Sequence, residues 1–253
     1  MKVEVLFSPA DFGALASRDL SGTVCVVFDI LRATSTMVTA LANGAEAVVP
    51  VLDIAEALAL RHRRPEVLLG GERGGRRIGR DLTGGVEFDL GNSPREYTPE
   101  RVRGKTIVST TTNGTRALRA CAGAKAVLAG SFLNLGATAA WLEHHRGERL
   151  LLVCSGTHEE PAWEDTLAAG ALWERLREQF AVADAGDSVW LAHQIFLGAR
   201  EDLIGSMRFS SNGQRLLAGP ELADDVPLCL CIDTYDLVAA LNSAGEVRRG
   251  ALG

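Results

Sequence analysis

The chain has 253 residues, 47% of them hydrophobic and 23% charged, and a formal net charge of −6 at pH 7. This composition is typical of a globular protein with a sizeable core and excludes a disordered chain. The acidic balance argues against general nucleic-acid binding, which needs a basic face. No apolar run approaches the roughly 18 residues of a membrane helix, and the N-terminal segment does not resemble a signal peptide. We therefore expect a cytoplasmic protein without membrane or nucleic-acid partners.

Cysteine and arginine are distributed unevenly. The odd number of cysteines and the absence of C-x-x-C spacing argue against a disulfide framework and against a zinc site. These cysteines are Cys25, Cys121, Cys154, Cys229 and Cys231. Residues 61–80 contain seven arginines and two glutamates. Most of these arginines are expected on a solvated face, although one or two are candidates to bind an anionic ligand, since guanidinium pairs well with phosphate.

Apolar runs rich in Val, Ile and Leu alternate with segments of helical periodicity. The predicted strands cover residues 23–28, 47–51, 67–69, 106–109, 126–129 and 150–154. The predicted helices cover residues 34–43, 53–63, 114–121, 135–145 and 164–180. This alternation predicts an α/β fold with three layers, α/β/α, built on largely parallel or mixed sheets.

Two further features concern the organisation of the chain. Residues 44–48 (GAEAV) resemble residues 123–127 (GAKAV), and each segment leads from a helix into a strand. Residues 1–253 are expected to form a single unit. The repeat leaves open the alternative that this unit is built from two similar halves divided near residues 100–150. Residues 70–99 include eight glycines and show little periodicity. Loops of that length in compact domains are usually functional or mobile.

In open α/β sheets, ligands bind beyond the carboxyl ends of the strands. Two polar clusters stand at such places in the first half of the chain. The first cluster, Asp29, Arg32 and Thr34, follows the strand at 23–28. A carboxylate at this place is suited to bind Mg²⁺, and a helix N-terminus is suited to bind an anion. The alternative is that Asp29 only caps the helix. The second cluster, Glu72 and Arg73, lies in a glycine-rich turn that could approach a ligand closely. The alternative is that this turn is only a flexible connection with solvated charges.

Two more clusters follow later strands. In the third, hydroxyl groups, a glycine and an arginine at the start of a helix are suited to cradle phosphate oxygens. Its residues are Thr111, Thr112, Asn113, Gly114, Thr115 and Arg116. In the fourth, Asp165 opens a helix soon after Cys154, either as a second metal carboxylate or as a complement to the helix dipole. Cys154 itself is more typical of a buried residue than of a nucleophile, and His158 lies close enough to be considered.

Several short motifs occur in the order found in one known family. They are D-I-L-R-A-T-S-T from Asp29, G-E-R-G-G-R from Gly71, F-D-L-G-N-S-P from Phe88, T-T-N-G-T-R-A-L from Thr111, S-F-L-N from Ser131, C-S-G from Cys154, E-D-T-L-A-A-G from Glu164, and S-x-N-G from Ser210 with a later Asp233. Each string alone is weak, but together they cover nearly the whole chain. The sequence thus resembles the 2-phosphosulfolactate phosphatase family.

The resemblance implies a Mg²⁺-dependent phosphatase that releases phosphate from 2-phospho-3-sulfolactate in the route to coenzyme M. It also implies α/β/α layering and a homodimer or similar small oligomer. The family extends beyond organisms that make coenzyme M, so a related phosphorylated 2-hydroxy acid is an alternative substrate. A non-catalytic module that binds a phosphorylated ligand, and a metal-dependent hydrolase or lyase acting on another anionic metabolite, also stay open.

Such a substrate is small and strongly anionic, so its site needs concentrated positive charge. We expect Asp29 and Arg32 to be catalytic, and Mg²⁺ to be held by Asp29, Glu72 and Asp165. The residues expected to bind the substrate are Thr34, Arg73, Thr111, Thr112, Asn113, Gly114, Thr115 and Arg116. Direct attack by water and a phosphoenzyme formed on Asp29 are both compatible with this set.

Overall fold

The computed structural model describes residues 1–15 and 17–250. Within these residues, ten strands join in one sheet. They are β1 (Lys2–Leu6), β2 (Thr23–Phe28), β3 (Ala47–Pro50), β4 (Leu68–Arg73), β5 (Arg76–Arg77), β6 (Thr106–Thr110), β7 (Ala126–Gly130), β8 (Arg149–Cys154), β9 (Val238–Leu241) and β10 (Val247–Gly250). Their order across the sheet is β1-β8-β2-β7-β9-β10-β3-β6-β4-β5.

The helices alternate with these strands until β8, and the segment between β8 and β9 is wholly helical or irregular. The α-helices are α1 (Phe12–Leu15), α2 (Ala33–Ala42), α3 (Ile54–Arg63), α4 (Arg80–Thr83), α5 (Pro99–Val102), α6 (Gly114–Ala120), α7 (Leu135–His144), α8 (Trp163–Leu176), α9 (Asp187–Ala199), α10 (Leu203–Ser206), α11 (Ser211–Leu217) and α12 (Asp225–Cys229). Short 3₁₀ turns complete the chain. None of the helices so described is long and apolar enough to cross a membrane.

The sheet consists of two parallel groups joined by a hairpin, with β5 paired antiparallel to β4 at one edge. Strands β1, β8, β2 and β7 are parallel to one another, and so are β3, β6 and β4. The hairpin of β9 and β10 lies between the groups and pairs antiparallel with β7 on one side and β3 on the other. Because three successive pairings are antiparallel, the two groups run in opposite directions.

Helices α2 and α6 lie against strands of both groups. Leu41 of α2 and Leu118 of α6 are buried in one core with Val27 of β2 and Ile107 of β6. Each of these helices begins directly after a strand, α2 after β2 in the first group and α6 after β6 in the second. The shared core therefore brings the carboxyl ends of β2 and β6 together, although they belong to different groups.

The other faces of the sheet are covered separately. Helices α7, α8 and α9 bury a second core against the first group, with Trp173 of α8 among its fully buried side chains. Helix α3 and the segment that carries Ile78 and Phe88 bury a third core against β4 and β6. The predicted α/β class, with helices on both faces of a mostly parallel sheet, is confirmed. A division near residues 100–150 stays a prediction: the first group combines β1 and β2 with β7 and β8, which follow β6 of the second group in the chain. Residues 16 and 251–253 of the predicted unit lie outside the described residues.

Glycine allows β4 to continue beyond the predicted strand at 67–69. Gly71 pairs with Thr110 of β6 and has a φ of 142°, and a Cβ at this position would lie 2.1 Å from the carbonyl oxygen of Thr110. The strand thus reaches Arg73 only because residue 71 has no side chain. As a result, Glu72 lies on an ordered strand end beside the loop that follows β6.

Candidate active site

The segments that follow β2, β4, β6 and β8 meet around one cavity of about 170 Å³. Each of the four polar clusters identified in the sequence contributes to its lining. Asp29 and Arg32 come from the first, Glu72 from the second, and Thr111, Thr112 and Asn113 from the third. The fourth contributes through the loop that contains Gly156 and His158. The cavity thus lies where the ends of the two strand groups meet.

Asp29 lies between the N-termini of two helices. Its Oδ1 accepts a 2.9 Å hydrogen bond from the backbone N–H of Ala33, at the start of α2. Its Oδ2 lies against Gly114 at the start of α6, where an added Cβ would come within 2.6 Å of that oxygen. Oδ2 accepts no hydrogen bond from any residue in the described ranges, 1–15 and 17–250. Asp29 therefore presents one unsatisfied carboxylate oxygen at the cavity.

Burial raises the pKa of Asp29 from 3.8 to about 7, and the negative charges of Glu72 and Glu164 add to this rise. The hydrogen bond from Ala33 and the positive charge of Arg32 act in the opposite direction. A carboxyl group with a pKa near neutrality changes charge within the working range of most enzymes, as a proton-transferring group must. The environment of Asp29 therefore suits an acid or base.

Glu72 ties the end of β4 to the loop after β6. Its Oε1 accepts hydrogen bonds of 2.9 Å from both the backbone N–H and the hydroxyl group of Thr112. Its Oε2 accepts a 2.7 Å bond from the backbone N–H of Gly75. The side chain of Glu72 is buried, and its carboxylate accepts three hydrogen bonds, so its position is well fixed.

Arg32 is buried beside the cavity and is held at two of its nitrogen atoms. Its Nη1 donates a 2.6 Å hydrogen bond to Oδ2 of the fully buried Asp225, and its Nη2 donates a 2.9 Å bond to the carbonyl oxygen of Gly75. A guanidinium group has five N–H donors, so Arg32 keeps donors for a ligand. It is the one arginine of the predicted site that lines the cavity.

Asn113 joins the loop after β6 to the loop after β8. Its Nδ2 donates hydrogen bonds of 2.9 Å and 3.0 Å to the carbonyl oxygens of Gly156 and His158. His158 has a positive φ of 56°, a conformation that non-glycine residues adopt mainly where surrounding contacts enforce it. The Oδ1 of Asn113 is buried and has no partner among the described residues. Asn113 thus brings an unsatisfied acceptor close to the cavity.

Asp165 supports the loops behind the cavity. Its Oδ1 accepts a 2.8 Å hydrogen bond from the backbone N–H of Ile30, and its Oδ2 accepts a 3.1 Å bond from that of Gly156. Burial, together with the charges of Asp29 and Glu164, raises the pKa of Asp165 above its usual value. Asp165 is buried and does not line the cavity. Its predicted role as a metal ligand stays a prediction, and the contacts observed are structural.

Five of the eight predicted substrate-binding residues lie outside the cavity lining: Gly114, which packs against Asp29, and four residues with longer side chains. Thr34 exchanges hydrogen bonds with the backbone of Asp29, and Thr115 with that of Thr111. Arg73 donates to the carbonyl oxygen of Glu72 and to Thr110, and Arg116 pairs with the exposed Glu159. The two threonines shape the loops that carry cavity residues. The two arginines have partners within the protein and do not line the cavity, so their role in substrate binding stays a prediction.

Among the cavity-lining residues that sequence analysis did not assign to the site are Asn92, Asn212 and Arg215. Asn92 and Asn212 stand within motifs that carry the family resemblance but were not assigned to the site. Arg215 lies on α11, one helical turn after Asn212, and its Nη2 donates to Oδ1 of that residue. The i, i+3 spacing on a helix predicts such proximity. Nothing in the sequence indicated that this helix reaches the site.

The structure contains no group of three or more His, Cys, Asp or Glu side chains arranged to hold a metal ion, as far as residues 1–15 and 17–250 are concerned. Two carboxylates, those of Asp29 and Glu72, nevertheless share the cavity. Cys154 is buried, and burial raises the pKa of its thiol well above the usual value. This environment disfavours the thiolate that a cysteine nucleophile requires.

Replacement of Gly114 by alanine tests the close approach of the two helices. The added Cβ would lie 2.6 Å from both Asp29 Oδ2 and Ala33 Cβ. We expect Gly114→Ala to lower the free energy of unfolding by about 1–3 kcal/mol, the usual range for an overpacked site, although alanine is the better helix former. Urea denaturation measures this change. Gly123→Ala, where an added Cβ meets nothing within 4 Å, is the matched control, and equal stability of the two variants would contradict the packing described.

The family model for 2-phosphosulpholactate phosphatase matches residues 13–244. A probable 2-phosphosulfolactate phosphatase of Caldanaerobacter subterraneus subsp. tengcongensis is 37% identical over 241 residues, covering 94% of this chain and 95% of that protein. Proteins of the same name are 42% identical over 217 residues in Thermotoga petrophila, covering 85% of this chain and 88% of that protein, and 40% identical over 228 residues in Gloeobacter violaceus, covering 89% and 91%. These matches confirm the predicted class of enzyme, a phosphoric monoester hydrolase. The chain belongs to the 2-phosphosulpholactate phosphatase family.

Proposed function

We propose that this enzyme hydrolyses 2-phospho-3-sulfolactate, or a closely related phosphorylated 2-hydroxy acid, with the help of Mg²⁺. One observation supports this most: an unsatisfied carboxylate oxygen of Asp29 shares a small cavity with the guanidinium groups of Arg32 and Arg215. A substrate that bears phosphate, carboxylate and sulfonate needs more than one cationic partner. The cavity of about 170 Å³ that contains Asp29 is large enough only for a compact group such as this.

The oxygen donors at the cavity fit Mg²⁺. This ion is usually held by one or two protein carboxylates, with water and substrate phosphate as further ligands. Asp29 and Glu72 both line the cavity, and each lies within the field of the other's negative charge, which contributes to the raised pKa of Asp29. A divalent cation beside these two residues would offset that repulsion. When bound, it would supply positive charge toward the phosphoryl oxygens.

The arginines of the site are proposed to bind the anionic groups. Arg32 is held by Asp225 and Gly75 and retains N–H donors for the transferring phosphoryl group, whose charge must be stabilised in the transition state. Arg215 is more exposed and stands on α11. It is suited to the second anionic group of the substrate, its carboxylate or sulfonate.

Asp29 is proposed to act as a base toward the attacking water. The water oxygen forms a bond to phosphorus, and the bond from phosphorus to the oxygen on C2 of the substrate breaks. The proton that leaves the water is taken up by Asp29 Oδ2 and then released to solvent. The departing C2 oxygen, on the opposite side of phosphorus, takes a proton from solvent and becomes the hydroxyl group of the product. In the metal-free site the pKa of Asp29 is raised to about 7. A cation bound beside Asp29 would lower this pKa and keep the carboxylate ionised, as a base must be at neutral pH.

Phosphate release from a small panel of esters tests the reaction, the metal and the substrate together. We expect release from 2-phospho-3-sulfolactate to exceed release from phospholactate and 3-phosphoglycerate, and EDTA to abolish it. Asp29→Asn retains the acceptor for the N–H of Ala33 but loses the base, so kcat is expected to fall by at least ~10²-fold. Release unaffected by EDTA would refute the metal, and a folded Asp29→Asn variant with full activity would refute the role of Asp29.

A comparison of two arginine variants tests which side chain recognises the second anionic group. We expect Arg215→Gln to raise KM for the sulfonated substrate by about 10-fold or more, the loss of one charge-assisted contact. Arg116→Gln removes only an ion pair with the exposed Glu159 and is expected to change KM by less than about twofold. Steady-state kinetics on both variants decides between them. A larger effect of Arg116→Gln would move the anion site to the start of α6.

Stability in the absence of metal is expected to depend on Asp29. Its pKa is raised from 3.8 to about 7 in the folded protein, so the folded state keeps this proton at pH values where the unfolded chain has lost it. The free energy of unfolding should therefore decrease as pH rises from about 4 to 7. Urea unfolding in EDTA at pH 5 and pH 8 should show a smaller decrease for Asp29→Asn than for the wild type. Equal decreases would contradict the raised pKa.

A further inference from the structure

Asp225 is a fully buried acidic residue at the start of α12, far in sequence from the strand ends that form the site. Both of its carboxylate oxygens are engaged by side chains. Oδ1 accepts a 2.6 Å hydrogen bond from the hydroxyl group of Ser93 and a 2.8 Å bond from Nε of Arg95. Oδ2 accepts the 2.6 Å bond from Arg32 Nη1. One carboxylate thus holds two arginines, and only one of them, Arg32, lines the small cavity.

Arg95 has partners that Arg32 lacks. Its Nη1 donates to Asp224 at 3.2 Å, and its Nη2 donates to the carbonyl oxygen of Glu221. Because about a third of the Arg95 side chain is exposed, its charge is also stabilised by solvent. The charge of Arg32 is buried, and Asp225 is its ion-pair partner. Buried charges require such a partner, and removal of one member leaves the other uncompensated.

Arg32 also borders two separate spaces. It belongs to the walls of two adjacent cavities, the one of about 170 Å³ that contains Asp29 and a second of about 680 Å³ bordered by Arg76 and Arg77. Gly75 and Asn92 border both cavities as well. A guanidinium group placed between two spaces needs an anchor to stay directed at one of them. The carboxylate of Asp225 and the carbonyl oxygen of Gly75 are the acceptors that provide it.

We propose that Asp225 is a positioning residue, which holds the guanidinium group of Arg32 toward the phosphoryl group of the substrate and is itself fixed by Ser93 and Arg95. This inference rests on the proposed role of Arg32 in phosphate binding. Asp225 does not line the cavity, so it acts only through Arg32. Its loss is therefore expected to impair catalysis through the orientation of Arg32.

The test compares Asp225→Asn with Asp224→Asn in the full-length protein with Mg²⁺. The Asp225→Asn substitution keeps the shape of the side chain but removes the charge that pairs with Arg32, and we expect kcat/KM to fall about 10- to 100-fold, as for other residues that orient a site ligand. The loss should lie mainly in kcat, since the contact matters most in the transition state. Competitive inhibition by inorganic phosphate, a ground-state ligand, should weaken much less than kcat falls. The Asp224→Asn control removes an exposed partner of Arg95 and should leave both values within about twofold.

A double-mutant cycle distinguishes positioning from a general structural effect. If Asp225 acts through Arg32, then Asp225→Asn should cause almost no further loss of kcat/KM in an Arg32→Lys background. If Asp225→Asn does not fold, Ser93→Ala takes its place, because it removes one hydrogen bond to Asp225 and leaves both charges. We expect Ser93→Ala to lower kcat severalfold, and we expect no such loss in the Arg32→Lys background.

Three outcomes are separated by this design. A wild-type protein that neither releases nor binds phosphate would refute the proposed function itself. An active wild type with unaltered kcat in folded Asp225→Asn or Ser93→Ala would overturn the role of Asp225 alone. Equal losses in the wild-type and Arg32→Lys backgrounds would likewise overturn it, because the effect would not pass through Arg32.

Discussion

The withdrawal of several neighbouring acidic side chains from solvent is the constraint on which the rest of the site depends. Asp29, Glu164 and Asp165 all have raised pKa values, with burial as the first cause in each case. A fold gains no stability from such an arrangement, since the charged form of each group is disfavoured. Residues that oppose stability and border a cavity are typical of functional sites. Hydrogen-bond donors of the surrounding loops and helices stabilise the charged forms of these acids.

These acids differ in what they contact, and the contacts distinguish the residues that hold the loops in place from the residue expected to act on the substrate. Asp165 uses both carboxylate oxygens for backbone N–H groups of the loops after β2 and β8. Glu164 accepts hydrogen bonds from Ser210 and Asn212, and it thereby ties α8 to α11. Asp29 alone among the three lines the cavity and keeps an oxygen without a partner in the described chain. Chemistry is therefore expected from Asp29, and the others hold the loops that present it.

Local signals in the sequence predicted the parts of the site that follow strands. The buried run at β2, its polar end at Asp29 and the hydroxyl-rich turn at Thr111 each follow from periodicity and composition. The rule for open sheets predicted a shared edge, but β2 and β6 run in opposite directions, and the core shared by α2 and α6 brings their ends together. The same reasoning did not predict β1, β9 or β10. Strand β9 has only four residues, VAAL, a pattern that fits a helix equally well, and its strand conformation depends on pairing with β10 and β7.

Arg215 and Asp225 were not predicted because their roles come from tertiary structure. An exposed arginine on a short helix and one of two adjacent aspartates carry no local signal of function, and only the packing of α11 and α12 against the strand ends brings them to the cavity and to Arg32. The charged groups of the site thus come both from the C-terminal helical segment and from strand ends. Because Asn212 contacts both Leu31 and Glu164, the C-terminal segment and the loop after β2 stabilise each other. The buried ion pair of Arg32 and Asp225 requires both segments to be in place, so the anion site depends on the packing of the C-terminal segment against the loop after β2.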